Sequence, residues 1–182
     1  MFVTTLRDIA QLGHPVLKTP AHELVEYTSE HVRTLIDDML FTVAKSNGVG
    51  LAAPQVYESL RLIIVSSHPN KRYPYAPFME PTVMINPEVV YRSEIVESDW
   101  EGCLSVPGIR GLVPRAKTIG LKFTGVDGNI VEDEYSGFLA RVVQHEIDHL
   151  DGISFLERVE NMKDIMTDRE FKKLIEVRDG AD

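Results

Sequence analysis

Residues 144–152 read Gln144-His145-Glu146-Ile147-Asp148-His149-Leu150-Asp151-Gly152. His145 and His149 stand four apart, so a helix carries them on one face, one turn apart, where both imidazoles reach one metal ion. Glu146 follows the first of them and completes the H-E-x-x-H pattern, two ligands and a general base. The helix expected around them covers residues 137–150, with Ser136 as its cap and Gly152 as its stop. On that helix Phe138, Val142, His145 and His149 form one stripe, and Leu139, Val143, Glu146 and Leu150 form the stripe beside it. A carboxylate in so apolar a face carries a large desolvation cost unless something compensates it, and a bound cation does so.

Two histidines do not complete such a site, because a catalytic centre of the zinc type takes three protein ligands and keeps one position open. Two third ligands present themselves. Glu170 lies twenty-one residues after His149, a spacing seen in zinc endopeptidases. Cys103, the only cysteine, sits in Glu101-Gly102-Cys103-Leu104-Ser105. A lone thiol is often just a small buried hydrophobe. Here Gly102 permits close backbone approach, and Pro107 and Gly108 break regular structure, which points to a loop or strand end, where sites gather. The residues alone leave the choice open between a metallohydrolase using Cys103, a zinc endopeptidase using Glu170, and a metal-binding interaction domain without catalysis.

The rest of the chain sets the frame. Its 182 residues suit one domain, and 43% hydrophobic with 26% charged residues excludes a disordered chain. A net charge of −9 argues against a broad grip on DNA. No apolar run is long enough for a membrane-spanning helix, and the opening residues do not read as a secretory leader. One cysteine cannot close an internal disulfide, which fits a reducing compartment. A helix is expected over 28–48, with Val32, Leu35, Ile36, Met39, Leu40 and Val43 on one face and Gly48 as its terminal glycine. Strands are expected at 61–66, at 82–86 and 89–96 around Pro87, and at 118–124 and 130–135 around the turn Asp127-Gly128-Asn129. Residues 68–81, rich in proline and tyrosine, read as an irregular excursion, and the last stretch as a weak helix that frays. Helix, strands, helix and helix without βαβ alternation make an α+β fold, one domain with antiparallel or mixed sheets packed around the H-E-x-x-H helix.

Three segments then occur in order: Gly48-Val49-Gly50-Leu51-Ala52-Ala53-Pro54-Gln55, Glu101-Gly102-Cys103-Leu104-Ser105 and Gln144-His145-Glu146-Ile147-Asp148-His149. Together they resemble the peptide deformylase motifs GxGxAAxQ, EGCxS and HExDH, and the resemblance runs from about Leu6 to about Arg158 of the single domain 1–182, leaving 159–182 as a tail. It implies one divalent ion held by Cys103, His145 and His149, so it favours Cys103 over Glu170. Fe(II) is the expected native ion, with Zn, Ni or Co as substitutes. It implies Glu146 as general base and acid, and the Gln55 amide and Leu104 N–H as oxyanion donors. It implies removal of the N-formyl group from the initiator methionine of new polypeptides, with release of formate. The substrate contacts it implies are Gly48, Val49, Gly50, Gly102, Arg110, Phe138 and Val142, with Leu139 a further candidate for the methionine pocket. Arg141 departs from the apolar residue some deformylases carry there, and its charge is expected either to fold outward or to narrow the pocket mouth. Arg110 is expected to reach the peptide beyond the methionine, and Arg115 to pair with Glu101 or Asp148. The implied partners are N-formylmethionyl nascent chains and, transiently, the ribosome. The implied state is a monomer in the cytoplasm of a bacterial-type cell or in an organelle.

Overall fold

The computed structural model describes residues 4–70 and 72–179. In chain order its elements are α1 (Glu30–Ser46), β1 (Gly50–Ala52), β2 (Leu62–Ser67), β3 (Met79–Arg92), β4 (Val96–Cys103), β5 (Val106–Ala116), β6 (Thr118–Thr124), β7 (Ile130–Ser136), α2 (Gly137–Leu150), β8 (Ile165–Thr167) and α3 (Asp168–Asp179), joined in places by short 3-10 turns. The strands make two antiparallel sheets, β1-β2-β3-β6-β7 and β4-β5-β8. This is the α+β arrangement expected from the element order.

The Ser29 hydroxyl caps α1 by accepting the Val32 N–H at 3.3 Å, and the helix buries Val32, Leu35, Ile36, Met39 and Val43, with Leu40 of the same face only partly buried. Asn47 takes the left-handed position at φ 52° that ends α1. The stop expected at Gly48 therefore falls one residue earlier. The central strand β2 is buried along its whole length, and successive side chains alternate between two cores. Leu62 and Ile64 pack with α1, while Ile63 and Val65 pack with Val142, Val143, Ile147 and Leu150 of α2.

Pro87 does not separate two strands, as the sequence suggested, but lies within β3. The ladder shifts register between Ile85 and Glu88, and Asn86 sits at φ 50°. Its side-chain amide accepts the Leu24 N–H and donates to the Leu24 carbonyl, both at 2.9 Å, so the bulge is tied to the N-terminal segment. The strands β4 and β5 were not legible as strands, since β4 carries Glu97, Asp99 and Glu101 and β5 carries Pro107, Gly108 and Pro114. Their register runs from Val96↔Ala116 to Gly102↔Arg110 and then jumps to Cys103↔Val106, which takes Pro107, Gly108 and Ile109 out of the ladder with β4. Cys103 thus ends a strand, at a tight turn through Leu104 and Ser105.

All residues of α2 from Ala140 to Leu150 are buried, and the helix lies between the larger sheet and β5. Ser136 precedes it, but its hydroxyl bonds the Thr118 hydroxyl at 2.9 Å rather than capping. Gly152 ends it at φ 74°, against the Lys18–Thr19 backbone. The helix expected in the last stretch is α3, and the short strand β8, which was not expected, precedes it and pairs with β5 at Ile109↔Thr167. Replacing Asn86 by Ala should cost about 2 kcal/mol, because two partly buried Leu24 backbone groups lose their partners. Urea unfolding checks this, and an unchanged midpoint would show the bulge is held by other contacts.

Candidate metal centre

The helix α2 supplies His145 and His149, and the end of β4 brings Cys103 to them. Among the described residues these three form a buried group whose ligand atoms all lie within 4.8 Å of one another. The Cys103 Sγ stands 3.2 Å from His149 Nε2. Glu170 is not part of this group; it lies exposed on α3, with its carboxylate 2.8 Å from Lys173 Nζ.

The residues fit a metal ion. One sulfur and two imidazole nitrogens suit Fe, Co, Ni and Zn. Glu101 accepts the His145 Nδ1–H at 2.8 Å, which leaves Nε2 for a ligand. Burial alone would raise the Cys103 thiol, but His149 and His145 hold it well below the usual thiol range, toward the thiolate that binds metals. Beside the group, Glu146 Oε2 and His149 Nδ1 are buried with no hydrogen-bond partner. Burial pushes the Glu146 carboxyl up to about 7.

Behind the ligands stands a charge cluster. Arg115 holds Glu101 with two parallel bonds of 2.9 and 3.0 Å, and its remaining nitrogen donates to Asp148 at 2.5 Å. Arg158 holds the same Asp148 from outside at 2.7 Å. Arg115 therefore takes both partners named for it in the sequence. Arg141 does not fold outward. It is buried in the cavity wall, donating to Glu101 Oε1 at 2.9 Å and to the carbonyls of Val113 and Glu97 at 2.7 and 2.6 Å. Burial alone would raise Glu101, but His145 and Arg115 hold it well below the usual carboxylate range.

A cavity of about 460 Å³ opens onto Cys103, His145 and Glu146. Val49, Phe138 and Val142 line it, together with Gly48, Gly50, Gly102, Gln55, Leu104 and Arg110. His149 lies deeper and faces a second, smaller cavity. Leu139 points away, into a groove beside Tyr135 and Val131, so it is no part of this pocket. The two inner glycines act through their neighbours rather than through open space. A Cβ on Gly50 would stand 2.8 Å from Glu146 Cδ, and one on Gly102 would stand 2.9 Å from Arg110 Nε. Gln55 accepts the Ala52 N–H at 2.9 Å and donates to Ser105 Oγ at 3.2 Å and Cys103 Sγ at 3.4 Å. Arg110 reaches the cavity as half of an ion pair, its Nε 2.7 Å from Asp168. The sequence did not single out Tyr73, whose hydroxyl donates to the Gly102 carbonyl at 3.4 Å and whose ring meets Phe138 at 5.4 Å. A tyrosine in a proline-rich excursion carries no local sign of such a contact. For Arg141 there was a signal, because an arginine among Leu139, Ala140, Val142 and Val143 requires a buried anion.

A thiolate and two helix-borne imidazoles, with an unpartnered buried carboxylate lining the same cavity, define a metal-dependent hydrolase. Comparison with known proteins narrows this class. The polypeptide deformylase family model matches residues 6–164. Peptide deformylase 2 of a Nostoc species is 50% identical over 93% of this chain and 95% of its own length. The peptide deformylase of Dictyoglomus thermophilum is 48% identical over 84% and 92%, respectively. The crystal structure of a class I type b peptide deformylase from Acinetobacter baumannii with bound Met-Ala-Ser superposes with a TM-score of 0.84 at 46% identity, covering 86% of this chain and all of that one. That of Thermotoga maritima gives 0.77 at 34% identity. The chain belongs to the polypeptide deformylase family, whose members remove the N-formyl group from nascent peptides in a metal-dependent reaction. Cys103→Ala should abolish stoichiometric metal binding, measured by elemental analysis after oxygen-free purification, while Glu170→Ala retains it. The reverse pattern would move the centre to Glu170.

Proposed function

We propose that Cys103, His145 and His149 hold one divalent ion and that Glu146 carries the protons of formamide hydrolysis within a single catalytic domain. The observation that carries this reading is the unpartnered Glu146 carboxylate buried beside the three-ligand group. When bound, the ion supplies Lewis acidity and eases the ionisation of water.

The edge strand β4 and the segment Gly48–Gly50 border the cavity, so both can take an extended peptide by backbone hydrogen bonds. The methionine side chain enters between Val49, Phe138 and Val142. Glu146 takes a proton from the attacking water as its oxygen bonds to the formyl carbon. The Gln55 Nε2, turning one proton away from Ser105 Oγ, and the Leu104 N–H donate to the oxyanion that develops, and each such donor is worth about 10²–10³ in rate. Glu146 then passes its proton to the departing nitrogen, the C–N bond breaks, and formate leaves beside a free amino terminus. The Acinetobacter relative binds Met-Ala-Ser, a peptide that begins with unformylated methionine, and this supports the same substrate class here. The donor set suits Fe(II), Zn, Ni and Co alike, and family membership favours Fe(II) as the native ion. N-formylmethionyl nascent chains place the enzyme transiently near the ribosome, and we assign it to the cytoplasm of a bacterial-type cell or to an organelle, as a monomer that binds neither DNA nor a membrane. Among the described residues no helix is long and apolar enough to cross a membrane.

Metal-replete protein purified without oxygen should release formate from formyl-Met-Ala-Ser and leave unblocked peptides intact. Internal cleavage without formate would instead mark an endopeptidase. Glu146→Gln should keep its metal and lose about 10²–10⁴ in turnover. Gly50→Ala should also keep the metal and lower turnover, since its Cβ displaces the Glu146 side chain. Near-normal rates in either variant, measured by formate release, would remove Glu146 from its role.

A further inference from the structure

The helix α3 follows residue 164, where the family match ends, yet three of its side chains, Phe171, Leu174 and Ile175, line the cavity that holds Cys103 and Glu146. Its position is fixed from three sides. The strand β8 pairs with β5 immediately before it. Asp168, its first residue, holds the buried Arg110 at 2.7 Å. The Arg110 guanidinium lies between the rings of Tyr73 and Phe171, 5.4 and 5.0 Å from their centroids, and Phe171 also meets Trp100 at 6.0 Å. Despite this anchoring, Leu174 stays 46% exposed.

The distance along β4 says what this wall can touch. Asp99 to Cys103 line the cavity consecutively, as an edge facing it would, rather than by alternate side chains. From Cys103 back to Trp100 is three residues, about 10 Å at ~3.3 Å per residue. An extended peptide advances at the same rate. With its formyl group at Cys103, its third residue lies opposite Trp100 and α3.

We propose that α3 forms a specificity subsite in which Leu174 and Ile175 take an apolar side chain at the third residue of the formylated peptide. This rests on the deformylase reading of the site. Phe171 and Asp168 are positioning residues, since they lock the wall onto Arg110 and do not themselves touch the substrate.

The test compares formate release from formyl-Met-Ala, formyl-Met-Ala-Ser, formyl-Met-Ala-Phe and formyl-Met-Ala-Asp. Wild-type protein should prefer Phe over Ser at the third residue. Leu174→Asp should reduce the Phe-to-Ser ratio of kcat/KM about 10-fold, through KM. Leu174→Arg should raise formyl-Met-Ala-Asp relative to formyl-Met-Ala-Phe, a gain that loosening of the helix would not produce. Equal changes on all three tripeptides, or none, would overturn the subsite. Normal turnover of formyl-Met-Ala with that outcome would leave the deformylase reading standing, whereas no formate from any substrate in wild-type protein would overturn that reading itself.

Discussion

The Glu101 carboxylate is the contact on which the centre depends. It is buried and takes Arg115, Arg141 and His145 at 2.8–3.0 Å. An ion pair this deep costs desolvation energy that only several well-formed partners offset, and removing one partner of such a pair typically costs about 3–5 kcal/mol. Glu101 offsets that cost by joining three elements. It lies two residues before Cys103 on β4, holds Arg115 of β5, and holds His145 of α2. The thiol and the imidazole on which the metal site rests are thereby fixed by one carboxylate. Asp148, one residue from His149, continues the cluster through Arg115 to Arg158. A ligand set drawn from a strand end and a helix thus acquires the rigidity of a single piece.

The apolar frame around this cluster has a chemical purpose as well as a structural one. The helix α2 packs on β2 through Ile63 and Val65, with Val143, Ile147 and Leu150 facing them. That packing keeps Glu146 away from bulk water on every side except the cavity. In such surroundings its protonated form is favoured more than in water, and burial pushes the carboxyl up to about 7. A carboxylate so placed can both accept and return a proton near neutral pH, as formamide hydrolysis requires. The close approach of Gly50 to Glu146 belongs to the same arrangement, since the Glu146 side chain occupies the space that a Cβ on Gly50 would take.

Much of this was legible in the residues because it is local. The H-E-x-x-H spacing, the amphipathic stripes of α2, the Asp-Gly-Asn hairpin and the face of α1 are all set within one or two turns of chain. The three motif segments also named the cluster that the fold assembles. What stayed hidden was decided by partners far away in sequence. The strands β4 and β5 hold acidic residues and prolines that no strand propensity would choose, and they form because each completes the other's ladder. Arg141 turns inward only because Glu101, forty residues earlier, is there to receive it. Pro87 reads as a break until Asn86 is seen gripping Leu24. The helix α3 reads as a fraying end until the pairing of β8 and the Arg110–Asp168 ion pair place it against the cavity.

The central claim is that one thiolate from β4 and two imidazoles from α2 together hold a single ion. X-ray absorption at the metal edge of the zinc-loaded protein tests it most directly. The account predicts one sulfur neighbour at about 2.3 Å and two imidazole nitrogens at about 2.0–2.1 Å. A first shell of nitrogen and oxygen alone, with no sulfur, would contradict it.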